Sequence, residues 1–392
     1  MSIRGFPREL LDRPPEERLA YFKDYALAHP LLRTAYSALM HVIREPAGAS
    51  LISVCGPTGV GKTTLLRRVQ KELIVQALPD LEKNRGRIPV VCVEAIAPDS
   101  GNFNWKDYYI RALEAFNEPL INKKADVALR TASYSGEGKH IPTRSRVTTD
   151  ELRRALEQAL RHRRPDAFII DEAQHLTKMA SGRRLQDQLD SIKSLANLSG
   201  ILHVLVGTYE LLAFRELSGQ LSRRKVDIHF PRYRAEYKED IQAFINVLHT
   251  FEHHLPLQEK PNLVQNWEYC YERSIGSVGV LKDWLTRALV SALEEGASTL
   301  SLTHLKQHAL SISQCEKMAT EALEGEAKLK EDDEANGKLL RILGMAEIVS
   351  KTGNAGTANS NKQKAAASKR KSNRVGERKP ERDPVGVKDH AG

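Results

Sequence analysis

The fold is decided by the segment Gly56-Pro57-Thr58-Gly59-Val60-Gly61-Lys62-Thr63-Thr64. It matches the pattern GxxxxGK[ST], with a strand predicted over Leu51–Cys55 before it and an amphipathic helix over Lys62–Gln76 after it. Glycines let backbone N–H groups converge on phosphate oxygens, and the helix N-terminus adds positive potential. The alternative is a chance glycine-rich turn. Because both flanking elements are in place, we predict a phosphate-binding loop.

This loop predicts that the protein binds ATP together with Mg²⁺. All residues from Gly56 to Thr64 are candidates for contact with the nucleotide. We expect the Lys62 ammonium group to reach the β- and γ-phosphates, and the Thr63 hydroxyl group to hold Mg²⁺.

A second acidic signature follows downstream, in Ala167-Phe168-Ile169-Ile170-Asp171-Glu172. A buried apolar strand would deliver two carboxylates at its C-terminal end. We expect Asp171 to hold Mg²⁺ through water, and Glu172 to orient and polarise the attacking water. The alternative is a strand that meets a helix cap. The phosphate loop upstream favours the catalytic interpretation.

Three weaker candidates lie further along the chain. Thr208 follows a strand predicted over Ile201–Gly207, where a hydroxyl could sense a γ-phosphate; a strand-end turn is the alternative. Arg223 or Arg224 could reach the γ-phosphate of a neighbouring subunit; the alternative is a surface cluster before a strand. The segment Gly276–Lys282 opens a later helix, where a nucleotide-sensing basic residue could lie.

Short apolar strands alternate with helical periodicity, which predicts an α/β fold with a five-stranded parallel sheet. The predicted strands are Leu51–Cys55, Val90–Glu94, Ala167–Asp171, Ile201–Gly207 and Val226–Phe230. Helices alone are predicted after Tyr233. We therefore expect five parts: an N-terminal helical extension (1–45), an ATPase core (46–233), a small all-helical lid (234–315), a charged helical extension (316–349) and a basic tail (350–392).

Positive charge is concentrated at the C-terminus. The 392 residues include 59 Lys+Arg and 50 Asp+Glu, a net charge of +9. Residues Lys351–Gly392 hold 11 basic and four acidic residues, a net +7 that leaves +2 for the first 350. Because this tail has few large apolar residues, we expect it to be disordered. It could be a solvated end or a tether for nucleic acid or protein.

Two classes of protein are disfavoured by composition. The chain has no apolar run near the roughly 18 residues that a membrane span needs, so we expect no membrane partner. Its four cysteines lie far apart, at Cys55, Cys92, Cys270 and Cys315. A disulfide scaffold or zinc module is therefore disfavoured, and a reducing cytoplasm is the simplest compartment.

The motifs GPTGVGKTT, FIIDEAQHL, HVLVGTYEL and QLSRR together resemble those of an AAA+ ATPase. Within AAA+, the chain resembles the TnsC/TniB regulators of DNA transposition, which include the ATPases of CRISPR-associated transposons; MuB and IstB are more distant. The resemblance covers roughly Ala35–Gln314. Its more specific features are the VLVGT strand end and Phe103–Tyr109. The Walker motifs alone do not distinguish this family.

The resemblance implies a bacterial-type protein that assembles with ATP into rings or filaments around duplex DNA. Such regulators link a target-selection protein to the transposase, and hydrolysis drives disassembly. By resemblance, Lys62 and Thr63 fall on Walker A, Asp171 and Glu172 on Walker B. A further set carries over in the same way: Thr208 as sensor 1 and Arg223 as arginine finger. Val280 stands where a sensor 2 arginine is expected, which favours slow, switch-like hydrolysis.

The resemblance also suggests DNA contacts. By resemblance, Lys106 lies at the start of a helix whose N-terminus faces DNA. A second candidate is the loop with Arg144, Arg146 and Thr148, which combines basic reach with a hydroxyl. Such phosphate contacts would be largely independent of DNA sequence. The alternative is that the basic residues of this region form only the solvated face of a helix.

Other AAA+ roles would look different. An initiator or loader of the Orc/Cdc6 type usually carries a winged-helix domain after the lid, where a short charged segment is found here. A DNA motor would carry pore-loop or helicase motifs. A STAND-like signalling ATPase would lack a basic DNA-binding surface and usually has a long sensor domain. We therefore expect the transposition regulator, with the initiator and the signalling ATPase as alternatives.

Overall fold

A computed structural model describes residues 5–98, 101–118, 147–178, 182–215, 224–329 and 342–343. Its five strands form one parallel sheet in the order β2-β3-β4-β1-β5. The strands are β1 Leu51–Cys55, β2 Val90–Glu94, β3 Ala167–Asp171, β4 His203–Gly207 and β5 Lys225–His229. The predicted five-stranded parallel sheet is confirmed. The last strand begins and ends one residue earlier than predicted, and β4 begins two residues later.

Helices cover both faces of the sheet. On the one side lie α2 Pro30–Arg44 and α3 Lys62–Lys83. On the other lie α4 Trp105–Ala115, α5 Thr149–Arg163 and α6 Gly182–Ser199. Side chains alternate between the two cores along each strand, as the pleat requires. Phe168 and Ile170 thus belong to one core and Ile169 to the other.

Local capping explains where two of these helices begin. The Asn104 side chain accepts a hydrogen bond from the Asp107 backbone N–H at 3.1 Å, which starts α4. Thr148 and Glu151 form a reciprocal capping box at the start of α5, as the sequence predicts. The N-termini of both helices are thereby fixed.

A helical lid follows the sheet and is built around the fully buried Trp284. Its helices are α7 Lys238–His254, α8 Trp267–Ser274, α9 Val278–Glu294 and α10 Leu302–His308. The first helix of the chain, α1 Pro15–Asp24, belongs to the same core, because Phe22 is fully buried there. The expected N-terminal extension therefore divides between the lid core, which takes α1, and the sheet core, which takes α2.

The last described long helix, α11 Ile312–Leu329, returns from the lid to the sheet. Its Glu326 carboxylate accepts a hydrogen bond from the Arg232 guanidinium group at 3.0 Å, and both side chains are buried. Gly325 packs against the ring of Tyr209, which follows β4. The helix thus runs through the expected boundary at residue 315. Most of the expected charged extension and the whole basic tail lie outside the described residues.

No helix in the described ranges is long and apolar enough to cross a membrane.

Candidate nucleotide site

The phosphate loop connects β1 to α3 and depends on its glycines. A Cβ atom added at Gly56 would lie 2.1 Å from the Phe230 carbonyl oxygen, so only glycine fits this close approach. Gly61, directly before α3, has a φ of 109°, in the left-handed region that favours glycine. The loop therefore has the backbone that its sequence predicts.

Lys62 is the first residue of α3, and only 7% of it is exposed. Its ammonium group donates hydrogen bonds to the carbonyl oxygens of Gly56 at 3.0 Å and Pro57 at 2.9 Å. Burial lowers the pKa of Lys62, while the nearby carboxylates of Glu172 and Asp171 act in the opposite direction. The cation is thus held inside the loop and faces the acidic pair.

One of the two carboxylates belongs to the last residue of β3, and the other to the residue after it. In the sheet, β4 lies between β3 and β1. Burial raises the pKa of Asp171, whose carboxylate accepts a hydrogen bond from the Glu172 backbone N–H at 2.9 Å. Glu172 itself has a φ of 51°, which is uncommon outside glycine and turns the chain sharply after the strand. The chain therefore turns directly after Asp171, the last residue of β3.

Thr208 follows β4, which lies between β3 and β1. Its backbone N–H donates to the Gln174 side-chain oxygen at 3.2 Å. Its hydroxyl group is buried and has no hydrogen-bond partner among the described residues. Thr208 lines a cavity of about 270 Å³ together with Pro57 and Thr58 of the loop and residues of α11. An unpartnered buried hydroxyl beside the phosphate loop fits a group that brings its own acceptors.

The lid contacts the same loop through the start of α9. The Val280 N–H donates to the Gly59 carbonyl oxygen at 3.2 Å. A Cβ atom added at Gly279 would lie 2.3 Å from that oxygen, so the two backbones meet directly. Lys282 points elsewhere, because its ammonium group donates to the Lys23 carbonyl oxygen of α1 at 2.7 Å. The residue at the loop is thus the apolar Val280.

Residues 44–214 match a family model described as "AAA domain". That segment spans the phosphate loop, both carboxylates and Thr208. The chain has an AAA+ P-loop NTPase fold. Its sheet order and flanking helices place loop, acids and hydroxyl at one edge, because the carboxyl ends of parallel strands meet there.

Several solved structures are similar to this chain at low identity, with TM-scores below 0.5. One is the Aeropyrum pernix ORC1 protein in complex with DNA: 19% identity, TM-score 0.48, covering 79% of this chain and 70% of that one. The Aeropyrum pernix ORC2 protein has 18% identity and a TM-score of 0.45, covering 76% and 73%. The Walker-type ATPase PABY2304 of Pyrococcus abyssi has 14% identity and a TM-score of 0.42, covering 81% of this chain and 75% of that one. No curated protein matches the sequence significantly. Similarity at this level transfers neither substrate nor partner.

A smaller cavity of the AAA+ fold lies between the loop, the lid and the segment before α2. It measures about 40 Å³ and is lined by Gly61, Thr64 and Gly279, among others. His29, also in its wall, is buried and shares a hydrogen bond of 3.1 Å with the Tyr233 hydroxyl group. Burial lowers the pKa of His29 to about 4, so the ring is neutral at pH 7. No sequence pattern indicated this residue.

Five other residues were predicted to have roles at the site or in DNA contact. Arg223, Arg144 and Arg146 lie outside the described residues and stay predictions. Lys106 is the second residue of α4 and is partly exposed, which is compatible with a surface contact. The Thr148 hydroxyl oxygen accepts the capping hydrogen bond from Glu151, so its described role is to start α5.

Gln174 is the functional candidate that sequence reasoning missed. It lies in the 3-10 turn Ala173–Thr177, is 5% exposed and contacts both Glu172 and Thr208. The only available signal was a polar residue two positions after the second acid.

Proposed function

We propose that this protein binds ATP with Mg²⁺ and hydrolyses it to control its own assembly on duplex DNA. The observation that supports ATP binding and hydrolysis is the convergence at one sheet edge of a buried lysine, two carboxylates and an unpartnered hydroxyl. The lysine is Lys62, the carboxylates belong to Asp171 and Glu172, and the hydroxyl belongs to Thr208. Groups of this kind, around a glycine-rich loop, serve phosphoryl transfer.

Each residue has a proposed task. Lys62 and the backbone N–H groups of the loop bind the triphosphate, and Thr208 donates its hydroxyl hydrogen to the γ-phosphate. Thr63, exposed in the first turn of α3, and Asp171 would hold Mg²⁺. When bound, the metal neutralises charge on the phosphate oxygens during transfer. The residues present fit this group, since a hydroxyl and a carboxylate are the hard oxygen ligands that Mg²⁺ prefers.

Glu172 acts as the general base. It orients a water molecule and accepts a proton from it as the water oxygen bonds to the γ-phosphorus. The bond from the γ-phosphorus to the β–γ bridging oxygen breaks, which leaves ADP and inorganic phosphate. Arg223 of a neighbouring copy is proposed to stabilise the charge of this transition state, so that hydrolysis requires a homo-oligomer.

Regulation of transposition is the proposed biological role. The support is the resemblance of the VLVGT strand end, Phe103–Tyr109 and the other motifs to TnsC/TniB proteins. In this proposal, ATP drives assembly of a ring or filament on DNA through Lys106, Arg144, Arg146 and Thr148. The assembly then links a target-selection protein to the transposase, and hydrolysis releases it.

The test measures fluorescence anisotropy of two duplexes of unrelated sequence, with ADP or with a slowly hydrolysed ATP analogue. We expect tight binding to both duplexes with the analogue alone. Lys106→Ala should weaken binding to both equally and reduce the salt slope by about one. Lys317→Ala, an exposed lysine on α11, is the control. Preference for one sequence would favour an initiator, and no binding in either nucleotide state would favour the signalling class.

A further inference from the structure

One buried side chain joins the ends of β3 and β4. Gln174 donates a hydrogen bond from its amide nitrogen to Oε2 of Glu172. Its amide oxygen accepts a hydrogen bond from the Thr208 backbone N–H at 3.2 Å. The two residues with proposed roles at the γ-phosphate are therefore connected through a single amide group that is almost completely buried.

The chemistry of the two partners fixes which way this amide faces. A backbone N–H can only donate, so the amide oxygen must face Thr208. An ionised carboxylate can only accept, so the amide nitrogen must face Glu172. Space is also restricted, because a Cβ atom added at Gly207 would lie 2.3 Å from the Gln174 oxygen. Glycine at this position leaves room for the bridge.

The bridge bears on the base itself. Glu172 is attached to a sharply turned backbone, with φ 51° and ψ 32°, and its side chain could otherwise sample several rotamers. A general base must be held within reach of the proton that it accepts. A donor fixed on one carboxylate oxygen supplies that constraint.

We propose that Gln174 is a positioning residue that holds the Glu172 carboxylate and couples its orientation to the β4 end at Thr208. This inference rests on the proposed function, in which Glu172 is the base for ATP hydrolysis. A shift of Thr208 on engaging the γ-phosphate is then transmitted to Glu172 through the amide.

The test compares wild type with Gln174→Ala and Gln174→Glu, by steady-state phosphate release and by binding of a fluorescent ATP analogue. We expect kcat to fall by about 10- to 100-fold in both variants, with KM and nucleotide affinity within about twofold of wild type. Gln174→Glu keeps the shape of the side chain but replaces the donor with an acceptor. Gln188→Ala, which removes another buried glutamine from α6, is the control and should retain wild-type kcat.

A double variant separates positioning of the base from simple structural support. The double variant Glu172→Gln/Gln174→Ala should hydrolyse ATP no more slowly than Glu172→Gln alone, because both changes remove the same function.

Three results would overturn the inference. Gln174→Glu with wild-type kcat would mean that the donor is irrelevant. If Gln174→Ala lowered kcat by the same factor in the wild type and in Glu172→Gln, Gln174 would act independently of Glu172. Wild-type hydrolysis by Glu172→Gln would remove the proposed base, and this inference with it. Only the last result contradicts the proposed function.

Discussion

The phosphate loop has two neighbours of opposite character. On the sheet side it meets charged and polar groups joined by directed hydrogen bonds: Asp171, Glu172 and the Gln174 bridge to Thr208. On the lid side it meets Gly279 and Val280 through backbone contact and an apolar side chain. Chemistry at the sheet edge depends on residue type and orientation, whereas lid contact depends on size and backbone shape. The lid therefore contacts the loop through backbone atoms and an apolar side chain, without a charged group of its own at Val280.

The largest effect is expected on the sheet side, from Glu172→Gln. Loss of the general base should slow phosphate release by about 10²- to 10⁴-fold and leave ATP binding intact. Because hydrolysis is proposed to drive disassembly, this variant should also stay on DNA in ATP. Glu210→Gln, an exposed glutamate in the wall of the cavity that Thr208 lines, is the control for charge loss. Rapid turnover by Glu172→Gln would contradict the assignment.

A smaller effect is expected from Gly207→Ala. The added Cβ atom would lie 2.3 Å from the Gln174 oxygen and must displace the bridge. We expect kcat to fall by roughly tenfold or more, while affinity for nucleotide changes little. Gly86→Ala is the matched control, because its added Cβ atom would make only an ordinary contact of 3.4 Å with the Asn84 side chain. Wild-type kcat in Gly207→Ala would show that the bridge has no role in turnover.

Val280→Arg tests the lid side of the loop by placing a positive charge where the family resemblance leads us to expect a sensor 2 arginine. Val280 is 8% exposed, so an arginine there buries an unpaired cation near a helix N-terminus. We expect the nucleotide-free protein to lose about 1–3 kcal/mol of unfolding free energy. ATP should restore stability, because its phosphates can pair with the guanidinium group. Thermal unfolding with and without ATP measures this, with Val280→Met as the uncharged control. If ATP raised the unfolding temperature of both variants equally, the proposed difference between the sheet side and the lid side would be contradicted.

The smallest effect is expected at His29, beside the lid, and concerns the stability of the fold at acidic pH. The pKa of buried His29 is about 4, below its ordinary value near 6.5, so the unfolded chain binds the proton more readily. Its contribution to stability is complete above pH 6.5 and is lost as the pH falls toward 4. We expect unfolding free energy to fall by about 1–2 kcal/mol more in wild type than in His29→Gln over this range. Urea unfolding measures it, with His41→Gln, at an exposed site, as control; parallel pH curves would contradict the assignment.

Local sequence signals predicted most of the sheet edge. The phosphate loop, the strand that carries Asp171 and the capping box at Thr148 each lie within a few consecutive residues, where spacing alone determines their geometry. Strand ends are harder to predict: the predicted last strand includes Phe230, which lies beyond β5 yet donates its N–H to the Cys55 carbonyl oxygen at 2.8 Å.

Long-range contacts could not be predicted in the same way. The Arg232–Glu326 pair joins residues 94 positions apart, and nothing in either local sequence indicates the other. Phe22 likewise fits any amphipathic helix, and its place in the lid core depends on how α1 packs against α9. The Gln174 bridge requires β3 and β4 to be neighbours, so its significance emerges only from the sheet order.

The most direct test of nucleotide-controlled assembly is electron microscopy of the protein with duplex DNA, with ADP or a slowly hydrolysed ATP analogue. We predict rings or filaments threaded by DNA with the analogue, and dispersed protein with ADP. Dispersed protein in both nucleotide states, at moderate salt and with ATP analogue bound, would contradict the proposal that ATP assembles this protein on DNA.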